Sequence, residues 1–570
     1  MKDNFSLRIK IAYIFIFVFG AVIATRLFFV QVVHSNDYKE LASRQYVAPS
    51  AGYFDRGAIF FKKKDGQLIS AATIKKGFIL AINPKILNDA ELAFTKISAV
   101  TQIDKDMFFK SAAKKSDTYE EVGRRLSNEE ADKIKLLKLK GVDIYSEGWR
   151  FYPAGSLASR VLGFVGFNGD KLEGRYGLEK YYENILGRKE DNGGSANSFA
   201  EIIMDIKKTV SDNTPNGDIV LTIEPEAQSF FEESLRGVLD KYNAEMAGGI
   251  IIEPKTGKIL AMASVPNFDP NAYGGTKDLS LFMNPSTQNV YEMGSIMKPL
   301  TLAAALDQNK ITPETTYSDK GFVVFNNKRI ENFDGKARGT VSMQEVLNQS
   351  LNTGAVFAMQ QLGKEKFLEY IKNYGFGEKT GIDLPDEVQG LISNLNSMRD
   401  IEFATASFGQ GIAVTPIEMA LALSALANGG ALMKPYVVER IKSQEGLDKN
   451  IEPVQKRQVL KKETSETISR MLVNVTDKAL MGGVYKMDHY TIAAKTGTAQ
   501  SIKSGGDKGY NEEEYIHTFF GYAPGFDARF LTLLYLVKPQ GVKYASHSLS
   551  EPFMNITKFL LNYYQVPPDR

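Results

Sequence analysis

Ser295 and Lys298 stand one helical turn apart in Ser295-Ile-Met-Lys298, followed by Pro299 and the apolar run Leu300–Leu306. If the segment is helical, hydroxyl and amine share one face. A serine needs a base before it acts as a nucleophile, and a lysine supplies one when burial holds its amine neutral. The pattern is short and recurs at Ser111-Ala-Ala-Lys114. Two further tripeptides are associated with serine–lysine chemistry, Ser-x-Asn and Lys-Thr-Gly, which serve proton transfer and substrate alignment. The first occurs at Ser195–Asn197, Ser211–Asn213 and Ser350–Asn352. The second occurs at Lys255–Gly257, Lys379–Gly381 and Lys495–Gly497.

The elements around these copies separate them. Gly294 permits a sharp entry into the helix that follows, and that helix is apolar nearly all round, which implies burial. Burial favours Lys298 as a base, and the helix N-terminus offers backbone N–H groups to a developing oxyanion. Ser111 sits among Lys110, Lys114, Lys115 and Asp117, which reads as a solvated charged face. Lys255-Thr256-Gly257 reads as the turn between strands Gly248–Glu253 and Lys258–Val265. Lys379-Thr380-Gly381 lies in a loop after a helix. Lys495-Thr496-Gly497-Thr498 stands in a β-rich run, where Gly497 allows close approach of another backbone. As an edge strand it could pair with a peptide. Ser195 and Ser211 fall in polar loops, whereas Ser350-Leu351-Asn352 falls in a break between two helices. Ser342-Met-Gln-Glu345 reads as a capping box opening the first of them, and Thr353–Tyr374 as the second. Tyr490–Ile502, Tyr515–Tyr522 and Phe530–Val537 read as strands, and Glu551–Gln565 as a closing helix. Strands, then helices, then strands again predict an α+β domain whose antiparallel sheet draws on both ends of the domain.

The 570-residue chain is too long for one ordinary domain. Its 69 basic and 67 acidic residues nearly balance, which argues against a nucleic-acid binder. With no Cys and four His, none at zinc-helix spacing, thiolate chemistry is excluded and neither a metal nor a cofactor is expected. Residues 11–25 carry no charge, and apolar character resumes after Arg26. Residues 9–33 would span about 37 Å as a helix, enough to cross a bilayer. Lys2, Arg8 and Lys10 precede the uncharged core, so a short cytoplasmic tail and an exported remainder are expected. No small-x-small cleavage site precedes a polar mature start, which favours an anchor over a signal peptide.

Taken together the motifs resemble those of the class B penicillin-binding proteins, membrane-anchored peptidoglycan D,D-transpeptidases. Ser295, Ser350 and Lys495 follow in one order within one domain. The likeness extends to Arg26-Leu27, Gln31-Val32-Val33, Tyr38 and Gln45, then Asp55-Arg56-Gly57-Ala58-Ile59, Arg150-Phe-Tyr-Pro153, Gly163-Phe-Val-Gly166 and Gly177-Leu-Glu179. It continues through residues 252–263, Pro266–Asn271, Gly409-Gln-Gly411 with Thr415-Pro416, and Ala427–Gly430. The resemblance implies that Ser295 is acylated by the penultimate D-Ala of a stem peptide and that Lys298 takes the serine proton. Ser350 and Lys495 would move protons to the leaving amine and orient the substrate carboxylate. Asn352 would bond the acyl-side amide, Thr496 and Thr498 hydroxyls would meet the carboxylate, and the N–H groups of Ser295 and Thr498 would form the oxyanion hole. Gly497 completes the substrate-binding strand. Met293 stands where the family often has proline, and Leu351 where division enzymes often have serine; both are expected at the pocket edge.

The resemblance further implies a serine β-lactamase-like transpeptidase domain at 219–570, an elongated mixed pedestal or dimerisation-type domain at 34–218, one membrane anchor at 9–33 and a cytoplasmic tail at 1–8. The expected location is the inner membrane, with the catalytic domain periplasmic. Expected partners are stem peptides ending in D-Ala-D-Ala, β-lactam antibiotics, membrane lipid, and a division-type polytopic glycosyltransferase with other division proteins. Short loops, Ser350-Leu-Asn and the ending Val566-Pro-Pro-Asp569 favour the division-type (FtsI-like) branch and a septal role. The alternatives are an elongation-type transpeptidase, a non-catalytic division scaffold, and a β-lactamase-like hydrolase, which normally lacks a pedestal.

Overall fold

The computed structural model describes residues 55–169, 171–187, 217–325, 327–443, 448–502 and 510–570. The expected anchor at 9–33, the family-like residues from Arg26 to Gln45, and the tripeptides at Ser195 and Ser211 lie outside the described residues. Among the described residues, no helix is long and apolar enough to cross a membrane. By packing, the chain divides into two units; the described part of the first is Asp55 with 74–149, and the second takes 56–73 and 150 onward.

In the first unit, three helices are each opened by a side-chain cap. Asp89 caps Ala90–Ser98, Asp104 caps Lys105–Ala112 and Ser127 caps Asn128–Leu136. Ser127 forms a full capping box with Glu130, satisfying two N–H groups that the first turn leaves free. Ile97, Phe108 and Ile134 of these helices bury against Leu80, Ile82, Val122 and Leu126, from the antiparallel pairing that runs from Phe78↔Leu126 to Ile82↔Glu120.

The second unit opens with a buried charge cluster. Arg56 Nε and Arg150 Nε each donate to Glu179, both at 2.6 Å, and Arg150 also holds Gly57 O at 2.8 Å. Helix α1 (Pro225–Lys241) precedes strand β1 (Met246–Ile252), which turns through Gly257, φ +82°, into β2 (Ile259–Val265). All ten residues of α2 (Lys298–Asp307) are buried. Leu300 and Leu302 alone, both fully covered, contribute about 1.5–3 kcal/mol each by burial. Helices α3 (Met343–Asn348) and α4 (Asn352–Leu362) follow. Only half of the expected capping box forms at α3: Ser342 accepts from Glu345 N, but the Glu345 carboxylate turns to Asn348 and Gln349. The single helix expected over Thr353–Tyr374 is two, because Gly363 at φ +86° breaks it.

The late strands are β3 (Ala493–Ile502), β4 (Tyr510–Ala523) and β5 (Phe530–Val537), followed by the short helix α5 (Ala545–Ser548) and by α6 (Ser550–Tyr563). They join β1 and β2 in a five-stranded antiparallel sheet of order β3-β4-β5-β1-β2. The sheet therefore draws on both ends of the domain, and β3 is an edge strand. Gly497 and Thr518 look toward the turn that carries Ser295, while Phe519, on the other face, stacks on Phe553 of α6 at 4.5 Å.

Candidate active site

Ser295 lies in a 3-10 turn, Gly294–Met297, that runs directly into α2. Gly294 enters the turn at φ +60°, and a Cβ there would stand 2.9 Å from Thr498 O. Its N–H donates to Gly409 O at 3.1 Å, tying the turn to the Gly409–Gly411 loop. One turn on, Lys298 Nζ is 3.0 Å from Ser295 Oγ. It also reaches Ser350 O at 2.6 Å and Ser350 Oγ at 3.1 Å. Lys298 is fully buried; burial, with the charge of Lys495 adding to it, pushes its amine well below the usual lysine range. A neutral amine has two protons and one lone pair. Donation to the two Ser350 oxygens leaves the lone pair for the Ser295 hydroxyl.

Ser350 sits between α3 and α4 at φ +56°, a left-handed conformation that a non-glycine residue holds only under constraint. Leu351 N closes the preceding helix on Val346 O at 3.0 Å. From the other side Lys495 Nζ donates to Ser350 Oγ at 3.0 Å and to Thr496 O at 3.1 Å. Burial pushes Lys495 down to about 7. One hydroxyl thus bridges two buried amines. The charge of Lys495 adds to the lowering of Lys298, so a cation at Lys495 favours the neutral amine at Lys298.

The edge strand reaches this pair because Gly497 has no side chain. A Cβ would lie 2.2 Å from Thr518 Oγ1 and 2.7 Å from Met293 O. Thr518 Oγ1 itself donates to Met293 O at 2.8 Å. Ser295, Ser350, Asn352, Lys495, Thr496 and Thr498 line one groove of about 730 Å³. Lys298 lies behind the Ser295 hydroxyl, and Gly497 turns toward Met293 rather than the groove. Asn352 Nδ2 donates to Glu331 O at 2.7 Å. Thr498 Oγ1 accepts from Ala545 N at 3.1 Å.

The other copies do structural work. Ser111 Oγ and Lys114 Nζ both bind Glu120, at 3.0 and 2.7 Å. Ser111 is buried, not solvated as its neighbours suggest, and Lys114 is ion-paired with Glu120 instead of standing as a neutral amine against the hydroxyl. Thr380 N is held by Glu387 at 2.8 Å. Gly257 N closes the β1–β2 turn on Glu253 O at 2.9 Å. Met293 and Leu351, expected at the pocket edge, are 1% and 0% exposed and belong to the core, because the turn and the helix start they occupy press inward. Glu292 was not among the sequence candidates. Its carboxylate accepts from Gly411 N at 2.9 Å and Tyr510 OH at 3.2 Å, and burial pushes it up to about 7. The signal that could have found it is the pair of glycines at 409 and 411, a close approach to the nucleophile turn.

Comparison with known proteins gives the family. Residues 247–558 match the penicillin binding protein transpeptidase domain and residues 55–221 the penicillin-binding protein dimerisation domain. Stage V sporulation protein D of Bacillus subtilis is 32% identical, over 97% of this chain and 85% of that protein. The chain belongs to the class B penicillin-binding proteins. Among further relatives of this penicillin-binding protein, the peptidoglycan D,D-transpeptidase FtsI of Escherichia coli is 26% identical over 79% of this chain and 73% of its own. In fold, it is similar to penicillin binding protein 2X of Streptococcus thermophilus, with a TM-score of 0.73 at 18% identity, covering 90% of this chain and 80% of that one. Penicillin binding protein 3 of Mycobacterium tuberculosis gives 0.68 at 21% identity, covering 90% and 97%.

Proposed function

We propose that Ser295 is the acylated nucleophile of a peptidoglycan D,D-transpeptidase. The observation that carries this reading is the fully buried Lys298 amine 3.0 Å from Ser295 Oγ, with Ser350 shared between it and Lys495. Ser295 Oγ attacks the carbonyl of the penultimate D-Ala of a stem peptide while Lys298 takes its proton. The oxyanion meets the N–H groups of Ser295 and Thr498. The bond to the terminal D-Ala breaks, and Ser350 passes a proton to the leaving amine. Thr496 and Thr498 hold the terminal carboxylate, Asn352 the acyl-side amide, and the edge of β3 the peptide backbone. An amine of a second stem peptide then attacks the ester, forming the cross-link and freeing Ser295. A β-lactam enters by the same first step, its ring amide opening to leave an ester on Ser295. Incubation with a stem peptide ending in D-Ala-D-Ala and an amine acceptor tests the reading. Release of D-Ala with formation of the cross-linked dimer is expected, and both should vanish in Ser295→Ala. Free D-Ala with only the hydrolysed peptide would instead indicate a carboxypeptidase or β-lactamase-like hydrolase.

The proposed organisation is a tail at 1–8, an anchor at 9–33, a pedestal at 34–218 and a catalytic domain at 219–570, exported from the inner membrane. Deleting 9–33 should move the protein from the membrane to the soluble fraction. Relatives named FtsI support a septal role, where the proposed partner is a polytopic glycosyltransferase of division. A second reading is favoured by the sporulation protein at 32% identity: service in a sporulation stage. Depletion that yields filaments supports the first, and normal growth with defective spores the second.

A further inference from the structure

His517 lies on β4 directly opposite Thr498 of the edge strand. Opposite residues of an antiparallel pair project from the same face. The imidazole is fully buried, with Nε2 3.0 Å from Lys543 O and Nδ1 2.8 Å from Ser548 Oγ. A carbonyl oxygen only accepts, so Nε2 carries the ring proton and Nδ1 accepts from the Ser548 hydroxyl. Burial agrees with a neutral ring, lowering it to about 4.

These two bonds hold both ends of the segment 543–548. Lys543, Tyr544 and Ser546 of that segment line the groove. Its middle is tied to the edge strand, since Ala545 N donates to Thr498 Oγ1. A hydroxyl has one proton and two acceptor positions. With an acceptor position filled by Ala545 N–H, the rotation of the Thr498 hydroxyl is restricted and its proton is left for a group in the groove.

We infer that His517 is a positioning residue for the substrate carboxylate: it fixes the 543–548 wall, the wall orients the Thr498 hydroxyl, and that hydroxyl donates to the carboxylate. The inference rests on the transpeptidase reading of the groove and adds a residue to it. His517 touches no substrate; it acts through Ala545 and Thr498.

The test is acylation of the full-length protein by benzylpenicillin and by its methyl ester, separating the pre-covalent dissociation constant from the acylation rate constant. For benzylpenicillin, His517→Ala should raise the dissociation constant about tenfold, the worth of one hydrogen bond to a charged group, with the rate constant changed less. For the methyl ester, which has no carboxylate, variant and wild type should acylate alike. His517→Gln, whose amide can still donate to Lys543 O, should recover most of the loss. Ser548→Ala, a milder change, should show the same acid-only weakening at smaller size. Unchanged binding of benzylpenicillin in both the His517→Ala and Ser548→Ala proteins overturns the inference, as does an equal loss for acid and ester. A wild-type protein that takes no label at Ser295 overturns the transpeptidase reading itself.

Discussion

Lys298 and Lys495 are two buried amines on either side of one hydroxyl, close enough for the charge of one to act on the other. Acylation needs Lys298 neutral. Its amine is depressed by burial and by the neighbouring cation, so the base form persists to lower pH than a free lysine would allow. Removing the cation must raise Lys298 again. In Lys495→Gln the acid limb of the pH profile for penicillin acylation should therefore move to higher pH; a limb that stays in place would remove Lys495 from this role. Lys298→Ala should lower the acylation rate by about 10²–10⁴, the worth of a positioned base, with the melting temperature little changed. These two lysines, with Ser295 and Ser350, were legible because apolar surroundings and motif order separated them from their copies. His517 and Glu292 were not. Their partners include the carbonyl of residue 543 and the amide of residue 411; for Glu292 the only hint is the distant glycine pair at 409 and 411, and nothing in the residues flanking His517 marks a side chain that bonds distant backbone.

At the scale of elements, the site depends on how closely strand β3 approaches the Ser295 turn. Gly497→Ala would place a Cβ 2.2 Å from Thr518 Oγ1 and push the strand outward. The expected outcome is loss of acylation by at least about a hundredfold, the scale of a small misplacement of reacting groups, in a protein that still melts cooperatively. Wild-type labelling of that variant would mean that the strand's approach does not matter. The strands were readable from β-rich composition and turn residues, whereas the edge position of the Lys-Thr-Gly run was only a condition that the sheet order then met. The helix break at Gly363 was overlooked although the glycine itself marks it, taking φ +86° with nothing packed against it. Less readable was the inward packing of Met293 and Leu351, which depends on what lies opposite in space.

Across the whole molecule, the largest features hidden from the sequence are pairings between distant segments. Arg56 and Glu179 are 123 residues apart, yet they share a fully buried ion pair with Arg150. Burial alone would raise the Glu179 carboxyl, but the two guanidiniums outweigh it and hold it below the usual range. A carboxylate depressed in the folded state stabilises above its unfolded pKa, and that stability is lost as pH falls through the folded value. Glu179→Ala leaves the buried Arg150 without its carboxylate, while Arg56 keeps Glu183 at 2.7 Å, and should cost about 3–5 kcal/mol, seen as a lower melting temperature, with the deficit narrowing in acid. An unchanged melting temperature would show the cluster to be dispensable. The chemistry of the full-length protein centres on one atom, Ser295 Oγ. Its most direct test is labelling of wild type and Ser295→Ala with a fluorescent penicillin. A covalent label on the wild type that is absent from the variant is the predicted result; a label that persists on Ser295→Ala would contradict it.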